Sequence, residues 1–247
     1  MIEIRNLHKS FGSLLVLDGV NLSIEAGKVT SIMGPSGEGK SVLLKHLIGL
    51  FKPDRGEIFV DGEEVTALRP AQMDRVRRKI GMLFQEAALF DDMDVFENVS
   101  FPLYEHTDFS DGKIEKIVHE RLEEVGLEDV DSRFPDELSG GMRKRVGLAR
   151  ALVLEPKILL FNEPTTGLDP IMNEQITELI RETHAHRKVT IVLISHDLPL
   201  SYRIADRIAM LYKGQIVENL TPEEFRRSRH PFVRQFIEAD AYTGRRA

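Results

Sequence analysis

Gly34-Pro35-Ser36-Gly37-Glu38-Gly39-Lys40-Ser41 is the stretch that decides the fold. It fits the pattern of Gly, four residues of any kind, Gly, Lys, and Ser or Thr. Upstream, Val29-Thr30-Ser31-Ile32-Met33 reads as a strand. Downstream, Val42, Leu43, Leu44, Leu47 and Ile48 recur at helical spacing and stop at Gly49. A strand, a glycine loop and a helix in that order open an α/β unit. Glycines let the main chain curl so that successive N–H groups point at phosphate oxygens, and the helix N-terminus adds its dipole. Lys40 supplies a compact positive charge for the β and γ phosphates, and the Ser41 hydroxyl is a hard oxygen ligand for Mg²⁺. The octet and its flanks predict binding of a nucleoside triphosphate.

Working outward, Ile2, Ile4, Val16, Leu17, Val20 and Leu22 lie in strand-like runs, and Glu57–Val60 enters a turn at Asp61-Gly62. From about Val95 to Val125 the pattern turns helical, with Ile114, Ile117, Val118, Leu122 and Val125 mostly on one face and Pro102 and Asp111-Gly112 as punctuation. This predicts a helical subdomain inserted in an α/β core. A helix follows Ser139-Gly140-Gly141, then a strand at Lys157–Phe161, a helix from Pro170 and a strand at Val189–Ile194. Ile208–Tyr212 and Gln215–Val217 predict a hairpin across Lys213-Gly214, and the tail from Thr221 predicts two short helices.

The 247 residues carry 33 Lys+Arg against 40 Asp+Glu, a net charge of −7, so no general nucleic-acid partner is expected. Cysteine is absent, which excludes disulfides, thiolate metal sites and cysteine nucleophiles. No apolar run approaches the roughly 18–20 residues of a membrane-spanning helix, and the N-terminus lacks the pattern of a signal peptide. Composition therefore predicts a soluble, intracellular chain. Two basic runs, Arg143-Lys144-Arg145 and the tail residues Arg226, Arg227, Arg229, His230 and Arg234, read as solvated helix faces.

Ile158-Leu159-Leu160-Phe161 is a buried-type strand ending in Asn162 and Glu163. In phosphate-loop proteins a carboxylate at this strand end reaches Mg²⁺, and Glu163 is placed to polarise the attacking water. Leu138-Ser139-Gly140-Gly141-Met142 presents hydroxyl and N–H donors at a helix start, where Ser139 also reads as an N-cap. With these motifs in order, essentially the whole chain resembles the ATP-binding cassette family, the ATP-hydrolysing subunits of ABC transporters.

That resemblance implies an α/β phosphate-loop (P-loop) NTPase core of ABC ATPase type, with an N-terminal antiparallel β-subdomain and an inserted α-helical subdomain. Residues 1–86 and 156–219 would form the RecA-like and β core, 87–155 the helical subdomain with the signature, and 220–247 the tail. It implies that Phe11 stacks on adenine with Val16 nearby, and that Gly34, Pro35, Ser36, Gly37, Glu38, Gly39, Lys40, Ser41 and Val42 hold the phosphates. Gln85 would touch Mg²⁺ and the attacking water, Glu163 would be the catalytic base, and His196 would contact the γ-phosphate. Ser139, Gly140 and Gly141 would contact the γ-phosphate of ATP bound to a second copy of the chain, and Gly167-Leu168-Asp169 would couple the two sites. Metal ligands would be Ser41, Gln85 and Asn162. Catalysis would then need a head-to-tail dimer that closes on ATP and reopens after hydrolysis. Asn162 departs from the family's usual Asp, and this predicts looser Mg²⁺–ATP and slower turnover with the chemistry kept. Met142 departs from the common Gln, as in some importer-type branches.

Ala87-Ala88-Leu89-Phe90-Asp91-Asp92-Met93-Asp94-Val95-Phe96-Glu97-Asn98-Val99 and Phe101-Pro102-Leu103 are similar to the ATPases of Mla/Mce-type phospholipid transport systems, as is the tail from His230 to Phe236. The similarity implies an MlaE-type integral membrane permease docking near residues 85–103, with phospholipid as indirect substrate. It also implies a peripheral place on the cytoplasmic face of a bacterial inner membrane. Leu89, Phe90, Met93 and Phe96 are expected to form an apolar cup for a permease helix. Alternatives are an importer ATPase for another substrate, such as amino acids, and a weakly hydrolysing regulatory subunit suggested by Asn162.

Overall fold

The computed structural model describes residues 1–243, so the last four residues of the expected tail lie outside the described residues. The chain groups into two compact units, Met1–Pro70 with Val192–Ala247, and Ala71–Ile191.

In the first unit, β1 (Ile2–Phe11) and β2 (Leu14–Ile24) pair antiparallel, followed by β3 (Val29–Met33), α1 (Lys40–Leu47), β4 (Arg55–Val60) and β5 (Glu63–Glu64). One sheet has the order β2-β1-β4-β5. Its register sets Ile2 opposite Ile24 and Val60, and Ile4 opposite Leu22 and Ile58. All six are buried, which is the period-two alternation of a sheet with one face in the core. The unit also holds α7 (Leu198–Ile204), the hairpin β9 (Arg207–Tyr212) and β10 (Gln215–Leu220), α8 (Pro222–Arg226) and α9 (Pro231–Thr243). β3 is fully buried and runs parallel to β9, with Met33 opposite Met210. An all-buried strand of this kind reads as a continuous apolar run, as Val29–Met33 does.

The second unit contains α2 (Pro70–Arg77), which starts on the last residue of the first, then β6 (Ile80–Leu83), α3 (Val95–His106) and α4 (Asp111–Glu124). A short 3₁₀ turn at Pro135–Glu137 leads into α5 (Gly140–Leu152), β7 (Ile158–Asn162) and α6 (Pro170–Arg187). β6 and β7 are parallel, with Leu83 opposite Phe161. The next strand, β8 (Thr190–Ile194), starts at the end of this unit and finishes in the first. Among the described residues no helix is long and apolar enough to cross a membrane.

Four elements differ from the sequence reading. α3 runs through Pro102 instead of breaking there. A complete capping box between Asp94 and Glu97 and the buried face of Val95, Val99 and Leu103 outweigh the lost N–H. α2 and α7 escape a periodicity search because each is one or two turns with only a few buried positions; Asp197 caps α7 by accepting the Leu200 N–H. The final helix spans 13 residues and is not short. Its Phe232 ring stacks on Tyr212 at 3.6 Å, so a tertiary contact extends what local propensity only begins.

Candidate active site

The first unit holds Phe11, Val16, residues 34–42 and His196. The phosphate loop curls because its glycines adopt positive φ, 153° at Gly34, 87° at Gly37 and 92° at Gly39. Two of them are also required by crowding. A Cβ on Gly34 would stand 2.2 Å from Leu211 O, and one on Gly39 would stand 2.7 Å from Val16 Cγ1. Val16 therefore braces the loop from behind. Lys40 is buried, and its ammonium donates to Gly34 O at 2.7 Å and Pro35 O at 2.9 Å, inside the curl. Glu38 points back to the hairpin turn, where its carboxylate accepts the Lys213 N–H at 2.6 Å. Ser36, Gly37 and Ser41 are exposed at the rim. Val42 O takes a hydrogen bond from the buried His46 ring, whose burial pushes its pKa down.

Phe11 ends β1 and is 42% exposed, its ring edge-on to Phe51 at 5.3 Å and with Lys9 Nζ 5.4 Å from its centroid. A half-free aromatic face beside a cation suits a stacked base. His196 is exposed after β8, between the buried Ser195 and the cap Asp197. The last helix brings Asp240 into this neighbourhood. Burial and the Asp197 carboxylate raise the Asp240 pKa, and His196 opposes them. The sequence reading did not anticipate Asp240, because no local pattern marks it.

The second unit holds Gln85, Ser139, Gly140, Gly141, Asn162, Glu163 and Asp169. Ser139 is the N-cap of α5, its Oγ accepting the Met142 N–H at 3.3 Å, and Gly140 and Gly141 form the first turn. A Cβ on Gly141 would meet Met172 Cε at 2.3 Å, so a larger residue here would have to displace the end of that side chain. Asp169 caps α6 by accepting from the N–H groups of Ile171 and Met172 at 2.9 and 3.0 Å. Asn162 ends β7, and Glu163 follows in the left-handed region at φ 52°. The Glu163 carboxylate accepts from Thr166 Oγ1 at 3.2 Å.

The first basic run is not a solvated face. Lys144 is 5% exposed and donates to Thr166 O at 2.7 Å. Arg145 donates to Val125 O at 2.6 Å, and Arg143 reaches Pro135 O and Leu138 O. Burial lowers the Lys144 pKa, and Glu86 and Glu163 oppose that shift. Charged residues on a helix can tie loops together, and no local pattern marks which loops these are.

Gln85 is exposed beyond β6, and two side chains hold the turn after it. Ala87 and Ala88 both have positive φ, 59° and 49°. The Arg150 guanidinium donates to their main-chain oxygens at 2.7 and 2.8 Å. Asn98, fully buried, donates to Phe90 O, Met93 O and Asp94 O and accepts from the Phe90 N–H. Beside this turn lies a groove of about 340 Å³ lined by Phe84, Phe90, Phe101 and Pro102 and by Arg77, Arg78 and Arg150. Of the four residues expected to form the apolar cup, only Phe90 lines the groove. Phe96 lies against His119 of α4 instead, at 6.3 Å between centroids.

A family model described as "ABC transporter" matches residues 17–166. The chain is 43% identical over 236 residues, 96% of its length, to a probable ribonucleotide transport ATP-binding protein, mkl, of Mycobacterium leprae. It is 40% identical over 241 residues, 98% of its length, to the intermembrane phospholipid transport system ATP-binding protein MlaF of Escherichia coli K12. The chain spans 68% of the length of the first and 90% of the second. Among solved structures it is similar to the dimeric ATP-binding cassette MJ0796 in a post-hydrolysis state bound to ADP and Pi. The TM-score is 0.83 at 33% identity, covering 90% of this chain and 99% of that one. It is also similar to cbiO1 of Clostridium perfringens, part of the transporter complex cbiONQ, at a TM-score of 0.83 and 29% identity, covering 96% and 98%.

Proposed function

This chain belongs to the ABC transporter family as an ATP-binding, ATP-hydrolysing subunit, and on that footing we propose that it powers phospholipid movement through an MlaE-type permease. The observation that carries the substrate is the 40% identity along 98% of the chain to the ATP-binding protein of a phospholipid transport system. The groove supports the partner. Its aromatic lining suits the apolar face of a helix, and its arginines suit an acidic flank. The chain sits at the cytoplasmic face of the inner membrane through that contact.

In this reading Phe11 stacks on adenine, with Val16 behind the loop, and residues 34–42 cradle the phosphates. Lys40 stabilises charge on the β and γ phosphates, and the loop N–H groups do the same without reorganising. Ser41, Gln85 and Asn162 would hold Mg²⁺. They offer a hydroxyl and two carboxamides, hard neutral oxygens that suit this ion once phosphate supplies the charge. The ion's chemistry is to neutralise charge that develops on the phosphates. Glu163 takes a proton from the attacking water, and His196 donates to the γ-phosphate. Ser139, Gly140 and Gly141 serve the ATP of a second copy, in the arrangement of dimeric cassettes, and Asp169 lies in the loop between the two sites.

The experiment is co-purification of the chain with its permease, mass analysis of bound lipid, and ATP-driven movement of fluorescent phospholipid in proteoliposomes. Bound phospholipid with ATP-dependent movement supports the proposal. Its absence, with ribonucleotide stimulating turnover, favours the second reading raised by the 43% identity to the mycobacterial protein.

A further inference from the structure

We propose that Lys144 is a positioning residue for ATP hydrolysis, tying the signature helix α5 to the turn that carries Glu163. The proposal rests on the reading of Glu163 as catalytic base. The geometry lies within one unit. From the second turn of α5, Lys144 Nζ donates to Thr166 O at 2.7 Å and reaches Glu163 O at 3.4 Å. Thr166 returns to the same residue, its Oγ1 donating to the Glu163 carboxylate at Oε2 at 3.2 Å and its N–H to Glu163 O at 3.3 Å.

The turn needs such a clamp. Glu163 holds φ 52°, a conformation that side chains adopt rarely, and it precedes Pro164, which further narrows its choices. A strained residue persists only where its surroundings over-determine it, and such residues gather at active sites. Lys144 is an unusual residue to bury for packing alone. A lysine at 5% exposure must have its ammonium hydrogen-bonded, and here the bonds go to main-chain oxygens of this turn. An apolar residue would fill the space more cheaply and could not orient the turn.

The clamp has a consequence for the dimer. Ser139 caps the same helix five residues before Lys144, and α5 meets the turn again where Gly140 faces Leu168. The signature serves the ATP of the second copy, and Glu163 serves the chain's own. Lys144 therefore links occupancy of one composite site to the carboxylate of the other.

The test measures steady-state ATPase against ATP concentration, with nucleotide affinity, for the full chain and for Lys144→Arg, Lys144→Gln and Lys144→Met. The expected order of kcat is Lys, Arg, Gln, Met, with Met at least tenfold down, ATP affinity within about twofold throughout, and the Hill coefficient falling towards one. Thr166→Val on the half-exposed side of the turn is expected to lower kcat several-fold, less than additively with Lys144→Met. If Lys144→Met does not fold, the Arg and Gln variants carry the same comparison. Variants that keep kcat within twofold, or that lose affinity and kcat in parallel, overturn the proposal. Glu163→Gln runs alongside. If it turns over like the parent chain, the base reading fails, separately from any effect of Lys144.

Discussion

Arg150 donates to the main-chain oxygen of Ala87 at 2.7 Å, so the C-terminal part of α5 holds the turn two residues beyond Gln85. Ala87 is fully buried, and a Cβ on Gly147 would stand 3.1 Å from its own Cβ, so helix and turn meet without slack. Arg150→Met removes the donors for two carbonyls and is expected to cost about 2–3 kcal/mol. That corresponds to a melting temperature lower by about 4–12 °C. Arg150→Lys is expected to recover only part, since it lacks the second nitrogen with which the planar guanidinium also reaches Asn98 Oδ1 at 3.3 Å. Thermal melts check both, and an unchanged midpoint in Arg150→Met rules this role out. Permease-stimulated ATPase should fall more than the unstimulated rate.

Gly34 and Gly37 make a controlled pair. Both have positive φ, but a Cβ on Gly34 meets Leu211 O at 2.2 Å, whereas one on Gly37 meets nothing within 4 Å. Gly37→Ala is expected to cost about 1 kcal/mol from backbone strain alone. Gly34→Ala is expected to cost about 2–4 kcal/mol and to lower ATP affinity more than tenfold, because the clash is with main chain. Similar melts and affinities for the two variants would overturn this account of the loop.

In the proposed site, a carboxylate at Asn162 would add a full negative charge towards Mg²⁺. Asn162→Asp is expected to lower the Mg²⁺ concentration for half-maximal ATPase and to raise turnover several-fold. The rate is measured across a Mg²⁺ series in the purified chain. Equal rates and equal Mg²⁺ dependence sink the idea.

Glu124 links α4 to α6 by accepting two bonds from Arg187 at 2.7 Å, with Arg121 at 2.8 Å. Burial raises its pKa, but the two guanidiniums outweigh that, and the net shift is downward from 4.5. A carboxylate with a depressed folded pKa stabilises above its unfolded pKa and loses that contribution as pH falls through the folded value. Glu124→Gln is therefore expected to cost about 1–2 kcal/mol near neutrality. The difference should shrink below pH 4.5 as Glu124 itself is protonated. Denaturant melts at several pH values check the sign, and a gap that widens in acid contradicts it.

Legibility followed the range of each interaction. The phosphate loop was readable because eight consecutive residues carry both the chemistry and the curl, and the strand and helix beside it keep their own periods. The caps at Ser139 and Asp169 were or could have been read the same way, since a cap bonds only two or three residues ahead. The cup at residues 89–96 misled. Neighbouring apolar residues on a turn and helix start disperse, and Phe90 reaches the groove while Phe96 reaches α4. Lys144 looked like one charge in a solvated run because its partner oxygen is 22 residues away and belongs to the main chain, which has no residue type to recognise.

By itself, the sequence determined the α/β class, the phosphate loop and the order of the motifs that follow it, because these depend on local periodicity and on glycines at fixed offsets. Only the tertiary structure decided that Arg150 and Asn98 hold the turn after Gln85, that Lys144 clamps the Glu163 turn, and that Leu211 makes Gly34 obligatory. Each of those contacts ends on a main-chain atom. Main-chain atoms are the same at every position, so only folding tells which one lies within hydrogen-bond reach.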